Sequence, residues 1–392
     1  MTTTTAASDV LTRLEKIRPI IEEHATQGEI DRELAQEVYD AFRASGLNRL
    51  GVPAALGGLE VDPVDAIALF EAMGAIDGSA AWVLNQQYAV SSILTWMRDG
   101  LEEIFADPDG ALSGVFWPPG SAERVDGGYR ITSRVGFASG VARSSWFLAP
   151  AVVMVDGEPV IDASTGGPDM IAVAIPTAEV TVLDTWNALG MRATGSNDVL
   201  IEGVVVPDRR VAHIFALPAR PASLAAPGYG LVPWQGVHAH AAVPLGIARG
   251  ALEHSLRLAI DKVPNFMQVP LKEREYVQTD LAKAKAAIES ASVYLRTTMR
   301  AALDAVDAGT FGPNQQIDLQ LAANQAAASA EEAMRLVHHC VGTTTVRDEA
   351  GMGRRFRDLS TITQHASIQP GRWASTGKVM FGLESDWFPF AL

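Results

Sequence analysis

The feature that most constrains this chain is the order of its hydrophobic periods along 392 residues. Apolar residues recur at helical spacing as far as about residue 112, at alternate positions from about 113 to 215, and at helical spacing again from about 232. The length allows more than one domain. The order predicts an α+β chain, mostly α, with an N-terminal helical domain over 1–112, a middle β domain over 113–222 and a C-terminal helical domain over 223–392.

Two segments carry these periods clearly. In GGYRITSRVGF, a Gly-Gly turn precedes a predicted strand. Side chains at alternate positions would lie on one face of this strand, namely Tyr129, Ile131, Ser133 and Val135. In the last zone, one helical stripe steps by three and four residues through Leu281, Ala284, Ile288, Ala291 and Leu295. The alternation is typical of a small barrel or a sandwich, and stripes that include small residues are typical of a helix bundle. Asp62 followed by Pro63 predicts the start of a helix.

Charge and cysteine content narrow the class of protein. The formal net charge is -15, which disfavours binding to nucleic acid or to an anionic membrane. A local basic pocket for one anionic cofactor stays open. The single cysteine, Cys340, excludes an intramolecular disulfide. Since the chain has neither an apolar run of transmembrane length nor a signal-peptide core, we expect a cytoplasmic protein.

Sequence motifs read alone do not name a reaction. His238 and His240 form one histidine pair and His338 and His339 another, and neither has a carboxylate at a helical metal-ligand spacing. We therefore expect structural or surface roles for them, and no metal. GMGRRF lacks the third glycine of a nicotinamide-binding turn and follows no predicted strand. No serine-centred nucleophile elbow is present.

Four stretches, in this order along nearly the whole chain, resemble the acyl-CoA dehydrogenase superfamily of flavoproteins. They are DGSAAWVLNQQ (Asp77–Gln87), GYRITSRVGFASGVARSSWF (Gly128–Phe147), WNALGMRATGSNDVLIEGVVVPDRRV (Trp186–Val211) and FRDLSTITQH (Phe356–His365). The resemblance implies an acyl-CoA dehydrogenase-like fold: an N-terminal helical domain, a middle β-barrel domain and a C-terminal four-helix bundle. It also implies a flavin cofactor.

The last stretch separates two chemistries of that superfamily. Dehydrogenases need a carboxylate base beside flavin N5, and many members place it in a Tyr-Glu-Gly-Thr sequence shortly after an Arg-Asp pair. Here no acidic residue follows Arg357-Asp358 until Glu384, and His365-Ala366 stands where Tyr-Glu would fall. Because some dehydrogenases carry the base elsewhere, an acyl-CoA dehydrogenase-type flavin oxidoreductase stays the alternative.

A histidine at this place resembles the flavin-dependent monooxygenases of the same fold, such as the oxygenase component of 4-hydroxyphenylacetate hydroxylase and dibenzothiophene monooxygenase. That resemblance implies the oxygenase component of a two-component system. A separate NAD(P)H-dependent flavin reductase supplies reduced flavin, FADH2 or FMNH2, which captures O2 as a C4a-(hydro)peroxide and oxygenates a substrate. The nearly uncharged helix expected to line the cavity favours a small, aromatic or hydrophobic substrate.

The resemblance also implies roles for individual residues. The candidate catalytic residues are His365, which would take a substrate proton or hold the peroxide by a hydrogen bond, and Ser139, which would donate its hydroxyl or amide hydrogen. The candidate cofactor-binding residues are Trp117, Phe137, Ala138, Ser139, Gly140, Arg192, Thr194, Ser196 and Gly342. The candidate substrate-binding residues are Gln87, Tyr88 and His365.

Two further expectations concern the cofactor type and assembly. In this superfamily a glycine-rich turn of the partner subunit often completes the cofactor site. The matching turn HHCVGTTTV keeps only Gly342 where a glycine pair is usual, so FAD and FMN both stay open. The run of small residues from Leu319 to Ala333 exceeds what one bundle core should need, and we expect a homotetramer.

Overall fold

Helices begin the chain. The structure is a computed structural model that describes residues 3–217, 222–343 and 351–391. The first five helices are α1 (Thr3–Asp31), α2 (Gln36–Ser45), α3 (Pro63–Ile76), α4 (Gly78–Leu94) and α5 (Leu101–Ile104). The predicted start of α3 is confirmed: the Asp62 carboxylate accepts the Val64 amide hydrogen, with Pro63 at the first helical position. Asp77 starts α4 in the same way by accepting from the Ala80 amide.

The middle of the chain is one mixed β-sheet. Its strands are β1 (Leu112–Gly114), β2 (Gly120–Val125), β3 (Gly128–Ala138), β4 (Trp146–Val155), β5 (Glu158–Pro159), β6 (Met170–Pro176), β7 (Thr181–Leu183), β8 (Asn197–Pro207) and β9 (Val211–His213). The strand order is β7-β8-β3-β2-β4-β6-β9, with β1 and β5 also paired to β4. The predicted alternation of β3 is confirmed, because Tyr129 to Val135 alternate between buried and exposed.

The two faces of the sheet pack against different partners. One core cluster consists almost entirely of side chains from β2, β3, β4, β6 and β8, so the sheet curls around a core of its own residues. Side chains on the other face, including Leu148 and Ala172, join a cluster with Ile93 of α4 and Ile104 of α5. This second cluster packs α4 against β1 and β4, and Trp82 of α4 contacts Ser139, which directly follows β3.

Long helices complete the chain: α6 (Trp234–Asp261), α7 (Glu275–Asp307) and α8 (Pro313–Val341), followed by the short α9 (Met352–Ile362) and α10 (Gly371–Met380). The predicted α7 stripe from Leu281 to Leu295 is buried as expected. None of the described helices is long and apolar enough to span a membrane. The domain limits at 112/113 and 222/223 stay a prediction, and residues 218–221, next to the second limit, lie outside the described part.

The small residues of α8 serve the monomer. Ala322, Ala323, Ala326, Ala330 and Ala333 are each 0% exposed within the main helical core. The small-residue run therefore permits close packing of α8 against α6 and α7. The premise that this run exceeds the need of one bundle was wrong, and it carries no argument for a tetramer.

Helices α3 and α6 approach each other so closely that only glycine fits at the crossing. A Cβ on Gly246 would lie 2.2 Å from the Glu71 carbonyl oxygen. A Cβ on Gly250 would lie 2.3 Å from the Ala75 carbonyl oxygen, and one on Gly74 would lie 2.7 Å from that of Val243. This backbone contact fixes α6, which carries His240, against the N-terminal helices.

The crossing gives a stability prediction. Gly246→Ala should lower the free energy of unfolding by about 2 kcal/mol or more, because the added methyl group must push two backbones apart. Gly377→Ala in α10 is the matched control, since a Cβ there would meet nothing within 4 Å. The free energy of unfolding of the control should rise by about 0.5–1 kcal/mol, because alanine has a higher helix propensity than glycine. Urea unfolding of both variants measures this, and an equal gain in both would contradict the proposed close contact.

Candidate active site

A directed row of hydroxyl groups lies where β3 ends and β8 begins. The Thr194 hydroxyl donates to the Met191 carbonyl at 2.8 Å, and the oxygens of Thr194 and Ser196 lie 2.6 Å apart. Ser139 follows at 2.7 Å from Ser196 and accepts from the Trp82 indole nitrogen at 3.1 Å. Because each hydroxyl has one hydrogen, Ser139 must donate to Ser196, and Ser196 to Thr194.

The backbone holds this row in place. Gly140 has φ +70°, a conformation that favours glycine, and its amide donates to the Thr194 carbonyl at 2.8 Å. The Ser139 amide donates to the Phe137 carbonyl at 3.0 Å, and Ser113 of β1 donates to the Ser139 carbonyl at 2.9 Å. The hydroxyl and amide hydrogens of Ser139 are therefore both donated within the protein. Neither is free to reach a ligand, as we had expected one of them to be.

His365 lies in the turn after α9, outside any helix. Helix α9 ends at Ile362, and the His365 amide closes a turn to the Ile362 carbonyl at 3.0 Å. The turn is anchored by α8, because the Gln320 amide nitrogen donates to the Ser367 carbonyl at 2.9 Å. Trp387 in the C-terminal segment in turn donates to the Gln320 side-chain oxygen at 2.7 Å.

Three rings meet beside this turn. The Trp82 ring centroid lies 4.9 Å from that of His365 and 5.0 Å from that of His240 of α6. The two imidazole centroids are 4.7 Å apart. The Ser367 hydroxyl oxygen lies 2.8 Å from Nδ1 of His365 and 3.1 Å from Nδ1 of His240. On the far side of His240, its Nε2 lies 3.0 Å from the Gln86 amide nitrogen.

Both histidines are held in the neutral form. Burial lowers the pKa of His365 to about 4. Burial, and then the nearby His365, lower the pKa of His240 well below its usual value. Two neutral imidazoles and an indole thus form a cluster in which no carboxylate of the described residues hydrogen-bonds to either imidazole.

Two large aromatic side chains among the candidate cofactor-binding residues, Phe137 and Trp117, are exposed. Phe137, with φ +63°, is 76% exposed, and its ring meets the Trp186 ring edge-on at 6.0 Å. Trp117 is 71% exposed and lies in the loop that follows β1, whose Ser113 contacts Ser139. Ala138, in contrast, is fully buried in the core of the sheet. Exposed aromatic surface at non-glycine positive φ is unusual, and it offers a wall for a planar ligand.

The remaining predicted residues are placed elsewhere. The Arg192 guanidinium donates to the carbonyls of Glu29 and Ala188 and to the side-chain oxygen of Asn187. Tyr88 donates to Gln235 and lines a separate cavity of about 260 Å³. Gln87 is buried on α4. Gly342 ends α8, and the rest of its predicted turn, from residue 344, lies outside the described residues.

Sequence reasoning missed four residues of this cluster: Trp82, Gln86, His240 and Ser367. His240 was predicted to be structural or on the surface. The positions Trp82 and Gln86 differ by four, which is the only sequence signal that they share one face of α4. Within residues 3–217, 222–343 and 351–391, no group of three or more metal-ligating side chains is arranged to hold a metal ion.

A buried carboxyl group joins the sheet side of the site to the turn that carries His365. Asp358 of α9 is 3% exposed, and its Oδ1 accepts the Met191 amide hydrogen at 2.5 Å. Met191 also accepts the Thr194 hydroxyl at its carbonyl. Burial, and then nearby Asp77, raise the pKa of Asp358 to about 7. One hydrogen bond thus connects the hydroxyl row with α9.

Comparison with known protein families agrees with this arrangement. The family model for the acyl-CoA dehydrogenase N-terminal domain matches residues 12–104, and that for the acyl-CoA dehydrogenase C-terminal domain matches residues 238–370. The chain belongs to the acyl-CoA dehydrogenase family. The C-terminal match includes both His240 and His365.

Its similar relatives identify the monooxygenase branch of this family. Indole-3-acetate monooxygenase of Pseudomonas putida is 28% identical over 92% of this chain and 91% of its own length. The flavin-dependent monooxygenase oxygenase subunit HsaA of Rhodococcus jostii is 26% identical over 95% of this chain and 98% of its own length. This member of the acyl-CoA dehydrogenase family is therefore a flavin-dependent monooxygenase rather than a dehydrogenase.

Solved structures show the same fold. The HsaA monooxygenase from M. tuberculosis superposes with a TM-score of 0.88 at 25% identity, covering 98% of this chain and 99% of that one. XiaF from Streptomyces sp., in complex with FADH2 and glycerol, gives a TM-score of 0.89 at 23% identity, covering 97% of each chain. The expected fold class is confirmed.

The raised pKa of Asp358 predicts pH-dependent stability. A carboxyl whose pKa rises on folding stabilises the protein below its unfolded value of 3.8, and that contribution is lost as pH rises to about 7. Asp358→Asn keeps an acceptor for the Met191 amide but cannot ionise. As pH rises from 5 to 8, the parent protein should therefore lose stability that the Asp358→Asn variant keeps. The unfolding free energy of the variant, relative to that of the parent, should increase over this range by at most about 3 kcal/mol.

Urea unfolding at the two pH values measures this difference. Asp358→Ala is the matched variant: it leaves the Met191 amide without this acceptor and should be about 1–3 kcal/mol less stable than Asp358→Asn at both pH values. A parent-to-Asn difference that stays constant from pH 5 to 8 would show that Asp358 is ionised normally.

Proposed function

We propose that this protein is the oxygenase component of a two-component system that oxygenates a small aromatic substrate with reduced flavin and O2. The observation that carries the proposal is the neutral His365 against Trp82, next to Ser139, with no hydrogen bond to a carboxylate of the described residues. Such a site offers hydrogen-bond donors and aromatic walls, and it lacks the base that a dehydrogenase requires.

The alternative base positions hold no available carboxylate. After Asp358 the next acidic residue is Glu384, and on α6 the first acidic residue is Glu253, more than three turns after His240. Asp358 itself is buried, and its carboxylate accepts a hydrogen bond from the Met191 amide. None of these three positions therefore offers the acyl-CoA dehydrogenase alternative a carboxylate base beside His365.

The chain's residues fit a flavin. The exposed aromatic faces of Phe137 and Trp117 and the backbone around Gly140 would hold an isoalloxazine ring, with Thr194 and Ser196 behind it. When bound, reduced flavin supplies the two electrons for O2 activation and transfers one oxygen atom to the substrate. Similar proteins bind either type, since XiaF is in complex with FADH2 and the dibenzothiophene monooxygenase TdsC with FMN and indole. FADH2 and FMNH2 therefore both fit this proposal.

The protein's own groups position the substrate and exclude water. Trp82 and the two imidazoles give one side of the site an aromatic surface, which favours a flat aromatic substrate over a charged aliphatic one. Related proteins are named for indole-3-acetate and for resorcinol. We propose a substrate of the indole or phenol class. A separate NAD(P)H-dependent reductase would supply the flavin, as the names of oxygenase-subunit relatives indicate.

We also propose that the protein is a homo-oligomer, a tetramer as first expected, now on a different ground. Large apolar side chains are exposed on the α6–α7 connection and after α10, among them Phe266 at 105% and Phe381 at 85%. Exposed apolar residues of this size commonly mark contacts between copies of a chain.

The proposal predicts that His365→Ala uncouples the reaction. Product formation should fall by about 100-fold or more, as expected for loss of a group that donates or accepts a proton. Reduced flavin should still be consumed, with hydrogen peroxide released in place of product. Product and peroxide, measured per NADH consumed with a reductase present, give the coupling ratio.

His24→Ala on α1 serves as the control for a histidine change away from the site. It should keep the coupling ratio of the parent protein. A His365→Ala variant that couples as well as the parent would make His365 structural and would place the reaction elsewhere in the molecule.

A further inference from the structure

The contacts of His365 extend into a second row of polar groups that the proposed function does not use. Gln86 of α4, His240 of α6 and Ser367 of the α9–α10 turn follow one another at 3.0, 3.1 and 2.8 Å up to Nδ1 of His365. Three separate elements contribute one group each. Such a row can fix which nitrogen of His365 carries the proton.

The direction of each hydrogen bond follows from the donors available. The nitrogen of the Gln86 amide can only donate, so Nε2 of His240 accepts, and the neutral His240 carries its hydrogen on Nδ1. That hydrogen goes to the Ser367 oxygen. The single hydroxyl hydrogen of Ser367 is then donated to Nδ1 of His365.

An independent contact gives the same direction. The backbone amide of Ser367 also points to Nδ1 of His365, at 3.4 Å. At this length the contact is weak, so it adds to the preference for Nδ1 as an acceptor without fixing the tautomer alone. The hydrogen of the neutral His365 therefore lies on Nε2, which makes no hydrogen bond to the described residues.

This free Nε2–H differs from the Ser139 hydroxyl. The Ser139 hydrogen is already donated to Ser196, at the start of a row that ends on the Met191 carbonyl. Of the two candidate catalytic residues, His365 is consequently the one whose side chain keeps a hydrogen for an incoming oxygen atom.

We propose that Gln86, His240 and Ser367 are positioning residues that hold His365 as its Nε2–H tautomer. His365 then donates a hydrogen bond to an oxygen of the substrate or of the activated O2, and it is not the base that removes a substrate proton. This inference deepens the proposed function and rests on it for its catalytic consequence, whereas the tautomer itself is a property of the protein alone.

Gln86→Glu is designed to reverse the row. A carboxylate can only accept, so His240 would donate from Nε2 and accept at Nδ1, and the Ser367 hydroxyl would turn towards His240. Nδ1 of His365 would then donate to Ser367, which leaves a lone pair on Nε2. Gln364→Glu is the matched control, because Gln364 is exposed and adds the same charge one residue from His365 without touching the row.

The test measures the tautomer directly and without flavin. In ¹⁵N-histidine-labelled protein, long-range ¹⁵N–¹H spectra distinguish Nε2–H from Nδ1–H, and the signals missing from the His365→Asn variant are those of His365. We expect Nε2–H in the parent protein and in Gln364→Glu, Nδ1–H in Gln86→Glu, and a mixture of both in Ser367→Ala. The coupling of product to reduced flavin should fall by about 10-fold or more in Gln86→Glu, with little change in the substrate KM.

The outcomes separate the two claims. Nδ1–H in the parent protein, or Nε2–H retained in Gln86→Glu, would overturn the positioning role even if the protein oxygenates aromatic compounds. A parent protein with Nε2–H that oxygenates no aromatic compound would instead overturn the proposed function and leave the tautomer assignment intact.

Discussion

The buried hydrogen bond between the Met191 amide and the Asp358 carboxyl group is the contact on which the site depends. Met191 also receives the last hydroxyl of the row that begins at Ser139, and Asp358 lies on the helix that leads to His365. The β-sheet and the C-terminal helices are therefore joined at the end of the hydroxyl row that begins at Ser139. A carboxyl with a pKa of about 7 at this joint makes the connection sensitive to pH in the neutral range.

Two rows of hydrogen bonds meet at Trp82, and they differ in whether the last side chain keeps a free hydrogen. The row through Ser196 and Thr194 takes up the hydroxyl hydrogen of Ser139, and the row through Ser367 leaves His365 with a free one. Burial keeps both imidazoles neutral, so they add no charge to a cavity that must hold an apolar ring. A neutral donor in an aromatic pocket directs an oxygen atom without attracting water, which suits oxygen transfer.

Sequence reasoning reached the fold because hydrophobic period and helix capping are local. The Asp62 cap and the β3 alternation depend on residues a few positions apart. The resemblance led to Ser139 and His365, but the partnership of His240 with His365 joins positions 125 residues apart, through the packing of α6 against the α9–α10 turn. The role of the α8 alanines was misjudged for a related reason: spacing gives the apolar face of a helix, but not how many neighbours cover it.

The central claim is that this protein transfers an oxygen atom from O2 to an aromatic substrate with reduced flavin. The most direct measurement is a single turnover under ¹⁸O2, with chemically reduced FAD or FMN, the protein and a panel of indoles and phenols, followed by mass spectrometry. We expect one product that has gained a single ¹⁸O atom from O2. Reduction of the bound oxidised flavin by an acyl-CoA without oxygen, with no labelled product from any aromatic compound, would contradict it.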